Sequence, residues 1–370
     1  MTADTRLAQA RPCPSCGQPV WPGDNFCEAC RAPLAAAAAT PAPAAESVQA
    51  AAPAHGGSAS CQSCGSGPIS ADGYCEACGR KAPSPRDHIE TDLGLLAGVT
   101  DRGLRHFRNE DAMALAAVQA AGGAIAIAVV CDGVSGSSRP DEASNAATEA
   151  AMRVLVPAAR DGQDAATASL QAVQAAQEAV AGLADAAGST APDDAPSATF
   201  VSAVVSAQSV TVCWLGDSRA YWLDAGEAVA ARQLTTDDSV AAQMVTAGLL
   251  SEAAALDSPQ AHVVTGWLGA DVSNTAPHVT TFEPTGPGVV LVCSDGLWNY
   301  QPDASGLAAR VLPAALSSPA EAARTLVEFA LKAGGHDNVT VVLAPFPPAR
   351  PDPTHTQHCA RTDGQGDDDE

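Results

Sequence analysis

The groups in this chain best suited to chemistry are carboxylates placed at the ends of apolar stretches. Residues 125–131 run into Asp132-Gly133, 210–215 into Gly216-Asp217, and 289–293 into Ser294-Asp295-Gly296. Two further acidic groups stand just before apolar stretches: Glu110-Asp111 ahead of 112–118, and Asp337-Asn338 ahead of 339–344. A carboxylate at the end of a buried strand is costly to desolvate unless something pairs with it. Carboxylates that converge also repel one another, so such a cluster needs cations, and an all-oxygen donor set selects Mg²⁺ or Mn²⁺ over zinc or copper. Two such ions would activate a bridging water and clamp a phosphoryl group for in-line attack. Each aspartate taken singly also fits a turn or a strand cap; only the whole set singles out a metal centre.

Positioning these acids requires strands that end together. Segments 112–118 and 124–131 are joined by a loop containing Gly122-Gly123, which predicts an antiparallel hairpin. The start of the first strand and the end of the second then share one end, so Asp111 should neighbour Asp132. If the strands carrying Asp295 and Asp337 also pair antiparallel, all the acids meet on one edge. Segments 199–206 and 210–216 form a further hairpin whose far end is Asp217. The Ala-rich segments 140–156 and 163–187 predict an antiparallel helix pair covering one sheet, and 319–333 an amphipathic helix with Ser318 as N-cap, Pro319 in the first turn and Gly334-Gly335 as its stop. Segment 235–280 shows a helical piece at 240–249 and little continuous strand signal. This mixed order with hairpins predicts an α+β fold, a sandwich of two mainly antiparallel sheets flanked by helices.

The ordered set Thr100-Asp101-Arg102-Gly103, Asn109-Glu110-Asp111, Asp132-Gly133 with Gly136, Gly216-Asp217-Ser218-Arg219-Ala220, Ser294-Asp295-Gly296-Leu297 and Gly335-His336-Asp337-Asn338 with Thr340 resembles the metal-dependent Ser/Thr protein phosphatases of type 2C, in their bacterial form. The resemblance spans about residues 92–345 and implies an α/β/β/α sandwich. It implies that Asp132 bridges two Mn²⁺ or Mg²⁺ ions and that Gly133 supplies a backbone carbonyl. Asp295 and Asp337 would complete the first site, Glu110 would serve the second largely through water, and Asp111 would orient a bound water. Asp217 with Asp295 would form a weaker third site, and 235–280 would be a mobile flap. Where the family usually holds the substrate phosphate with an arginine this chain has His106, a single donor whose charge is lost near neutrality. In an extended segment Arg108 would share the side of His106 and is the better stand-in, with Arg105 on the opposite face. Asp237-Asp238-Ser239 replaces the common Asp-His-Ser, adding an anion near the flap that suggests tuning of substrate preference. His336 reads as a loop residue, because hard cations favour oxygen.

The twelve cysteines sort by spacing. Cys13-x2-Cys16-x10-Cys27-x2-Cys30 recurs as Cys61-x2-Cys64-x10-Cys75-x2-Cys78, displaced by 48 residues. Each set places four thiolates around one structural Zn²⁺, and metal binding would supply the folding energy of a module too small for a core. Disulfides and redox pairs are the competing readings; neither a secretory signal nor a βαβ context supports them. Cys131, Cys213 and Cys293 lie inside apolar stretches and read as buried small hydrophobes, and Cys359 carries no motif. The absence of a Ser-His-Asp set or a Cys-x5-Arg loop argues against a covalent intermediate. The chain therefore divides into a zinc ribbon at 1–34, an Ala/Pro-rich linker at 35–59, a second ribbon at 60–82, a short linker at 83–91, a phosphatase domain at 92–346 and an acidic tail at 347–370.

A formal charge of −23 and a pI near 4.5 argue against nucleic acid or an anionic membrane surface as partner, and neither ribbon has a basic face. No run of 18 apolar residues and no apolar N-terminal region appear, so the expected setting is cytoplasmic, with no membrane contact. The expected partners are phosphorylated proteins, Ser/Thr kinases or their substrates, with protein docking through the ribbons. The function implied is hydrolysis of phosphoserine and phosphothreonine. The alternatives are a pseudophosphatase scaffold that recruits partners through its ribbons, and a zinc-ribbon nucleic-acid adaptor.

Overall fold

A computed structural model describes residues 84–186, 195–226, 231–251, 263–271 and 276–348, with short pieces at 11–12, 19–20, 64–70, 74–79, 82, 254–255 and 258. The chain divides into two compact units, Met1–Ser58 and Ala59–Glu370. In the first, Arg11–Pro12 pairs antiparallel with Pro19–Val20. Cys13, Cys16, Cys27, Cys30, Cys61, Cys359, the 35–59 linker and the tail beyond 348 lie outside the described residues.

In the second unit β1 (His88–Asp92) and β2 (Ala97–Asp101) are followed by the hairpin β3 (Ala112–Ala120) and β4 (Gly123–Cys131), then by α1 (Pro140–Arg160) and α2 (Ala165–Ala186). Next come β5 (Phe200–Val205), β6 (Val210–Leu215), β7 (Arg219–Asp224), α3 (Val240–Thr246) and β8 (His278–Phe282). The domain closes with β9 (Gly288–Cys293), the four-residue α4 (Asp295–Trp298), α5 (Ala304–Ala315), α6 (Pro319–Ala333) and β10 (Val339–Phe346). One sheet runs β8-β6-β5-β4-β3. The other runs β7-β9-β10-β2-β1, with the two-residue strand Arg232–Gln233 outside β7.

The central strands are apolar on both faces because each sheet is covered by the other sheet and by helices. In β4, Ala124, Ala126, Ala128 and Val130 face the other sheet, where they meet Val290 and Val292 of β9 and Val342 of β10. Their neighbours Ile127, Val129 and Cys131 turn outward onto Ala143, Ala147, Ala151 and Leu155 of α1. Residues four apart on one helical face put small side chains against the sheet, so an Ala-rich helix can lie close to it. On the opposite side Val289, Leu291 and Cys293 pack under Leu307 and Val311 of α5 and Leu326 of α6. The resulting order is helix, sheet, sheet, helix, as the sequence predicts.

The boundary at 92 needs correction. Ser84 caps a turn at Pro85–Asp87, and β1 then pairs along the whole of β2, from His88↔Asp101 to Asp92↔Ala97, so the domain begins near residue 84. The outward residues of β1 carry charge: His88 Nδ1 lies 2.7 Å from Asp101 Oδ2, and Arg324 Nε donates to Glu90 over 2.7 Å. Solvated charge on an edge strand removes the apolar pattern that marks a strand, and it also discourages pairing with another chain.

Among the described residues no helix is long and apolar enough to cross a membrane. Cys131, Cys213 and Cys293 are buried, and burial pushes all three thiols upward, Cys213 to about 12. They stay protonated and act as packing groups.

Candidate metal centre

The β3–β4 register runs from Ala120↔Gly123 at the turn to Ala112↔Cys131, so Asp111 and Asp132 leave the hairpin side by side. β9 pairs antiparallel with β10, ending at Cys293↔Val341, and this brings Asp295 to the end that Asp337 precedes. β7 starts opposite the end of β9, Arg219↔Cys293, which adds Asp217. Strand pairing thus delivers Asp111, Asp132, Asp217, Asp295 and Asp337 to one edge of the sandwich.

Their electrostatics record how close they are. Asp132 is pushed well above the usual carboxylate range by burial and then by the charges of Asp111, Asp295, Asp337 and Asp217. Asp295 is raised in the same way, by burial and by Asp337, Asp217 and Asp111. Burial pushes Asp111 up to about 6, against hydrogen bonds donated by Thr340 Oγ1 (2.6 Å) and Ser294 Oγ (2.7 Å) to its Oδ2. Burial and the charge of Asp237 raise Asp217 to about 7, partly offset by Arg219. Two carboxylate oxygens, Asp111 Oδ1 and Asp295 Oδ1, are buried with no hydrogen-bond partner among the described residues. Groups disfavoured as anions and left with unused lone pairs fit hard divalent cations, which reverse both penalties.

Around these acids lies a supporting layer. The Asn338 side chain accepts from Glu110 N (2.7 Å) and donates to the carbonyls of Arg102 (2.8 Å) and Arg108 (3.1 Å). Thr199 Oγ1 accepts from Asp132 N (3.1 Å) and shares a hydrogen bond with Ser218 Oγ (2.8 Å), and Ser144 Oγ donates to the Glu110 carbonyl. Sequence reasoning missed Ser144, Thr199, Ser294 and Thr340 as partners; the only local signal was that Ser294 and Thr340 flank motif acids. Gly133 has no room for a side chain, since a Cβ there would lie 2.4 Å from the carbonyl oxygen of Pro140 at the start of α1.

Glu110 is set apart from the aspartates. Its Oε1 accepts from Arg108 Nε (2.9 Å) and its Oε2 from Ser135 Oγ (2.8 Å). Arg108 also reaches Asp141 at 3.4 Å. Its guanidinium is therefore paired with carboxylates while remaining half-exposed. Residues 102–108 form turns rather than a strand, so side-chain alternation does not apply to them. His106 does lie at the cluster: its Nε2 is 3.1 Å from Asp337 Oδ1 and its Nδ1 is 3.9 Å from Glu110 Oε2. His336 is exposed and its backbone N–H donates to Tyr300 Oη, as befits a loop residue.

The two acids at the base of the flap segment have separate anchors. Asp237 pairs with Arg219 at 2.7 Å, and the Arg219 guanidinium stacks 3.7 Å over the ring of Trp298. Asp238 accepts from Gly216 N (2.9 Å) and pairs with His278 Nε2 (2.9 Å), whose ring stacks on Trp214. Asp238 thus fastens the turn that carries Asp217. A pocket of about 680 Å³ opens between α3 and the start of α5, with Arg219, Asp237 and Trp298 in its wall.

A second candidate metal group lies in ribbon two. The Sγ atoms of Cys64, Cys75 and Cys78 all lie within 4.8 Å of one another, with 3.6 Å between the first two. A short knuckle holds them, with Ser70 N donating to Tyr74 O (2.8 Å) and Gly79 N to Cys75 O (2.8 Å).

Known proteins share these features. A family model described as protein phosphatase 2C matches residues 103–329. The Ser/Thr protein phosphatase PstP of Mycobacterium tuberculosis is 37% identical over 131 residues, covering 35% of this chain and 24% of that protein. The Ser/Thr phosphatase stp of Listeria welshimeri is 30% identical over 146 residues, covering 39% and 55%. The chain thus matches between about a quarter and about half the length of these relatives. Among solved structures, that of the M. tuberculosis phosphatase PstP/Ppp aligns with a TM-score of 0.54 at 28% identity, over 68% of this chain and 97% of that one. A PstP catalytic domain in complex with two manganese ions aligns with a TM-score of 0.53 at 26% identity, over the same shares. The family model spans every candidate metal-binding acid except Asp337, which the sheet register brings to the others from just beyond it, and the chain belongs to the protein phosphatase 2C family.

Proposed function

We propose that this chain hydrolyses phosphoserine and phosphothreonine in proteins at a centre of two Mn²⁺ or Mg²⁺ ions. The observation that carries the reading is the convergence of five aspartates, four of them with carboxyls pushed upward by burial and neighbouring charge, including two buried oxygens without hydrogen-bond partners among the described residues. Asp132, Asp295, Asp337 and Glu110 would hold the ions, with Gly133 contributing its carbonyl. Asp217 with Asp295 would take a weaker third ion. When bound, such ions supply Lewis-acid polarisation of the phosphoryl group and an acidified water.

The chain's own residues account for the remainder. Asp111, gripped by Ser294 and Thr340, offers a fixed acceptor to orient a water for in-line attack. His106, which takes the place of the arginine usual in the resembled family, would donate to a phosphate oxygen, a role its position beside Asp337 supports. Cys131, Cys213 and Cys293 are buried and protonated and so unsuited to attack, and the phosphoryl group would pass directly to water.

p-Nitrophenyl phosphate and a phosphothreonine peptide should both be turned over with Mn²⁺ and not with a chelator. No metal-dependent turnover would support the scaffold reading, which the replacement of the usual arginine by His106 favours.

The ribbons are proposed as structural zinc modules for protein docking, in a reducing, cytoplasmic setting that keeps their thiols free. The convergence of Cys64, Cys75 and Cys78 supports this, with Cys61 as the fourth ligand. Metal analysis of the purified chain should find two zinc ions per molecule, and one in a Cys75→Ser variant. A zinc-free chain would remove the proposal.

A further inference from the structure

Two of the most exposed large apolar side chains among the described residues, Leu104 (65%) and Phe107 (64%), stand on the loop that presents His106 to the acid cluster. A single exposed leucine needs no explanation. Two of them bracketing the residue that touches Asp337 do, because a polar pair would serve folding equally well.

Their outward position is imposed by a pinned backbone. Leu104 N donates to Gly335 O over 2.8 Å, and Gly103, at φ +73°, lies so close to the opposite loop that a Cβ would fall 2.1 Å from the carbonyl oxygen of Asp337. Asn338 fastens the carbonyls of Arg102 and Arg108 at the two ends of the loop. The Arg102 guanidinium donates to the His106 carbonyl and pairs with Asp87 at 3.3 Å. The loop is therefore tied at both ends and at its middle to the strand turn that bears Asp337. An apolar surface held out on a rigid support loses little entropy when it is covered, which suits recognition.

We propose that Leu104 and Phe107 form an apolar lip that selects protein substrates with an aliphatic or aromatic side chain directly beside the phosphorylated residue. This rests on the reading of the acid cluster as a phosphomonoesterase centre. A phosphoryl group held there brings the flanking residues of its peptide onto this rim, since consecutive Cα atoms are only about 3.8 Å apart. Residues 104 and 107 lie on either side of His106 and can meet neighbours on both sides of the phosphoresidue. The occupant is thus a phosphopeptide with a nonpolar neighbour.

The test compares two phosphothreonine peptides that differ only in leucine or serine at the flanking positions, using the full chain, Mn²⁺ and p-nitrophenyl phosphate as control. Wild type should favour the leucine peptide about tenfold in kcat/KM, through KM, as expected for covering one apolar side chain. Leu104→Ser/Phe107→Ser should reduce that preference to less than about twofold while hydrolysis of p-nitrophenyl phosphate is unchanged. Equal rates on both peptides in wild type, or a preference that survives the double substitution, would overturn the lip. If the double variant loses p-nitrophenyl phosphate turnover, Phe107→Ser alone decides: an undiminished preference counts against the proposal and a reduced one for it. Fluorescence anisotropy with both labelled peptides on Asp132→Asn protein, with and without the lip substitutions, reads the same preference independently of turnover. Absent turnover in wild type would therefore count against the phosphatase reading, while the binding arm still decides the lip.

Discussion

Replacing Asp132 by asparagine is expected to cut turnover about a thousandfold while raising the melting temperature of the chelated protein. The two effects have one cause. Asp132 stands among four other aspartates whose charges, together with burial, push its carboxyl upward. Asparagine keeps the shape and leaves intact the backbone bonds to Thr199, at 3.1 Å from Asp132 N and 2.8 Å to its carbonyl oxygen. It removes a carboxyl that the fold must either protonate or hold as an anion among like charges, so the empty site becomes less strained. It also removes the carboxylate proposed to hold the metal ions. Lewis-acid stabilisation is worth several kcal/mol, and each 1.36 kcal/mol is about tenfold in rate, so loss of about three orders of magnitude follows. A residue that only supported the fold would lower both quantities together. Turnover with Mn²⁺, set beside thermal unfolding in chelator, separates the cases, and a variant that melts lower and keeps its turnover would show Asp132 to be structural.

The chelated wild type is expected to lose stability as pH rises from about 4 to about 7, with Mn²⁺ restoring it at the upper end. In the unfolded chain aspartates titrate near 3.9. In the folded protein Asp111 titrates near 6 and Asp217 near 7, because burial disfavours their anions. Between those values the native state holds more protons than the unfolded one, so the free energy of unfolding falls with rising pH. Each group contributes on the order of 3–4 kcal/mol, fully present below pH 4 and lost as pH passes its folded value. For a domain of this size that corresponds to about 10 °C or more in melting temperature. Cations that bind only the native state oppose the loss by mass action. Melting curves in EDTA at pH 5 and pH 7.5 provide the measurement, and a flat or rising trend would contradict the buried-anion picture.

Much of the centre was legible because it rests on local patterns repeated in order. The Gly122-Gly123 turn and the flanking apolar stretches specify the β3–β4 hairpin, and its register alone sets Asp111 beside Asp132. The helix at 319–333 declared both its ends. Other features had no such signal. α5 went unread because Gly306 and Pro313 interrupt its pattern, although Asp303 caps it through Gly306 N at 2.8 Å. β7 and β8 were hidden, the first under a motif and the second in a stretch read as loop. Thr340 reaches both Thr100 and Asp111 across more than two hundred residues, and nothing local to any of the three announces the contact. The pairing of Arg108 with Glu110 and Asp141 had no signal either, because those partners meet only after the hairpin and α1 have packed.

The charged strand at His88–Asp92 sets where the domain can be cut. Its backbone supplies every rung on one side of Ala97–Asp101, whose own side chains are mostly buried. A fragment beginning at residue 92 would leave that inner strand with open N–H and C=O groups and an apolar surface, a template for intermolecular pairing. Truncations intended to isolate the phosphatase from the cysteine modules therefore need to retain the chain from Ser84 onward, and a shorter fragment would precipitate for reasons unrelated to zinc or to the active centre.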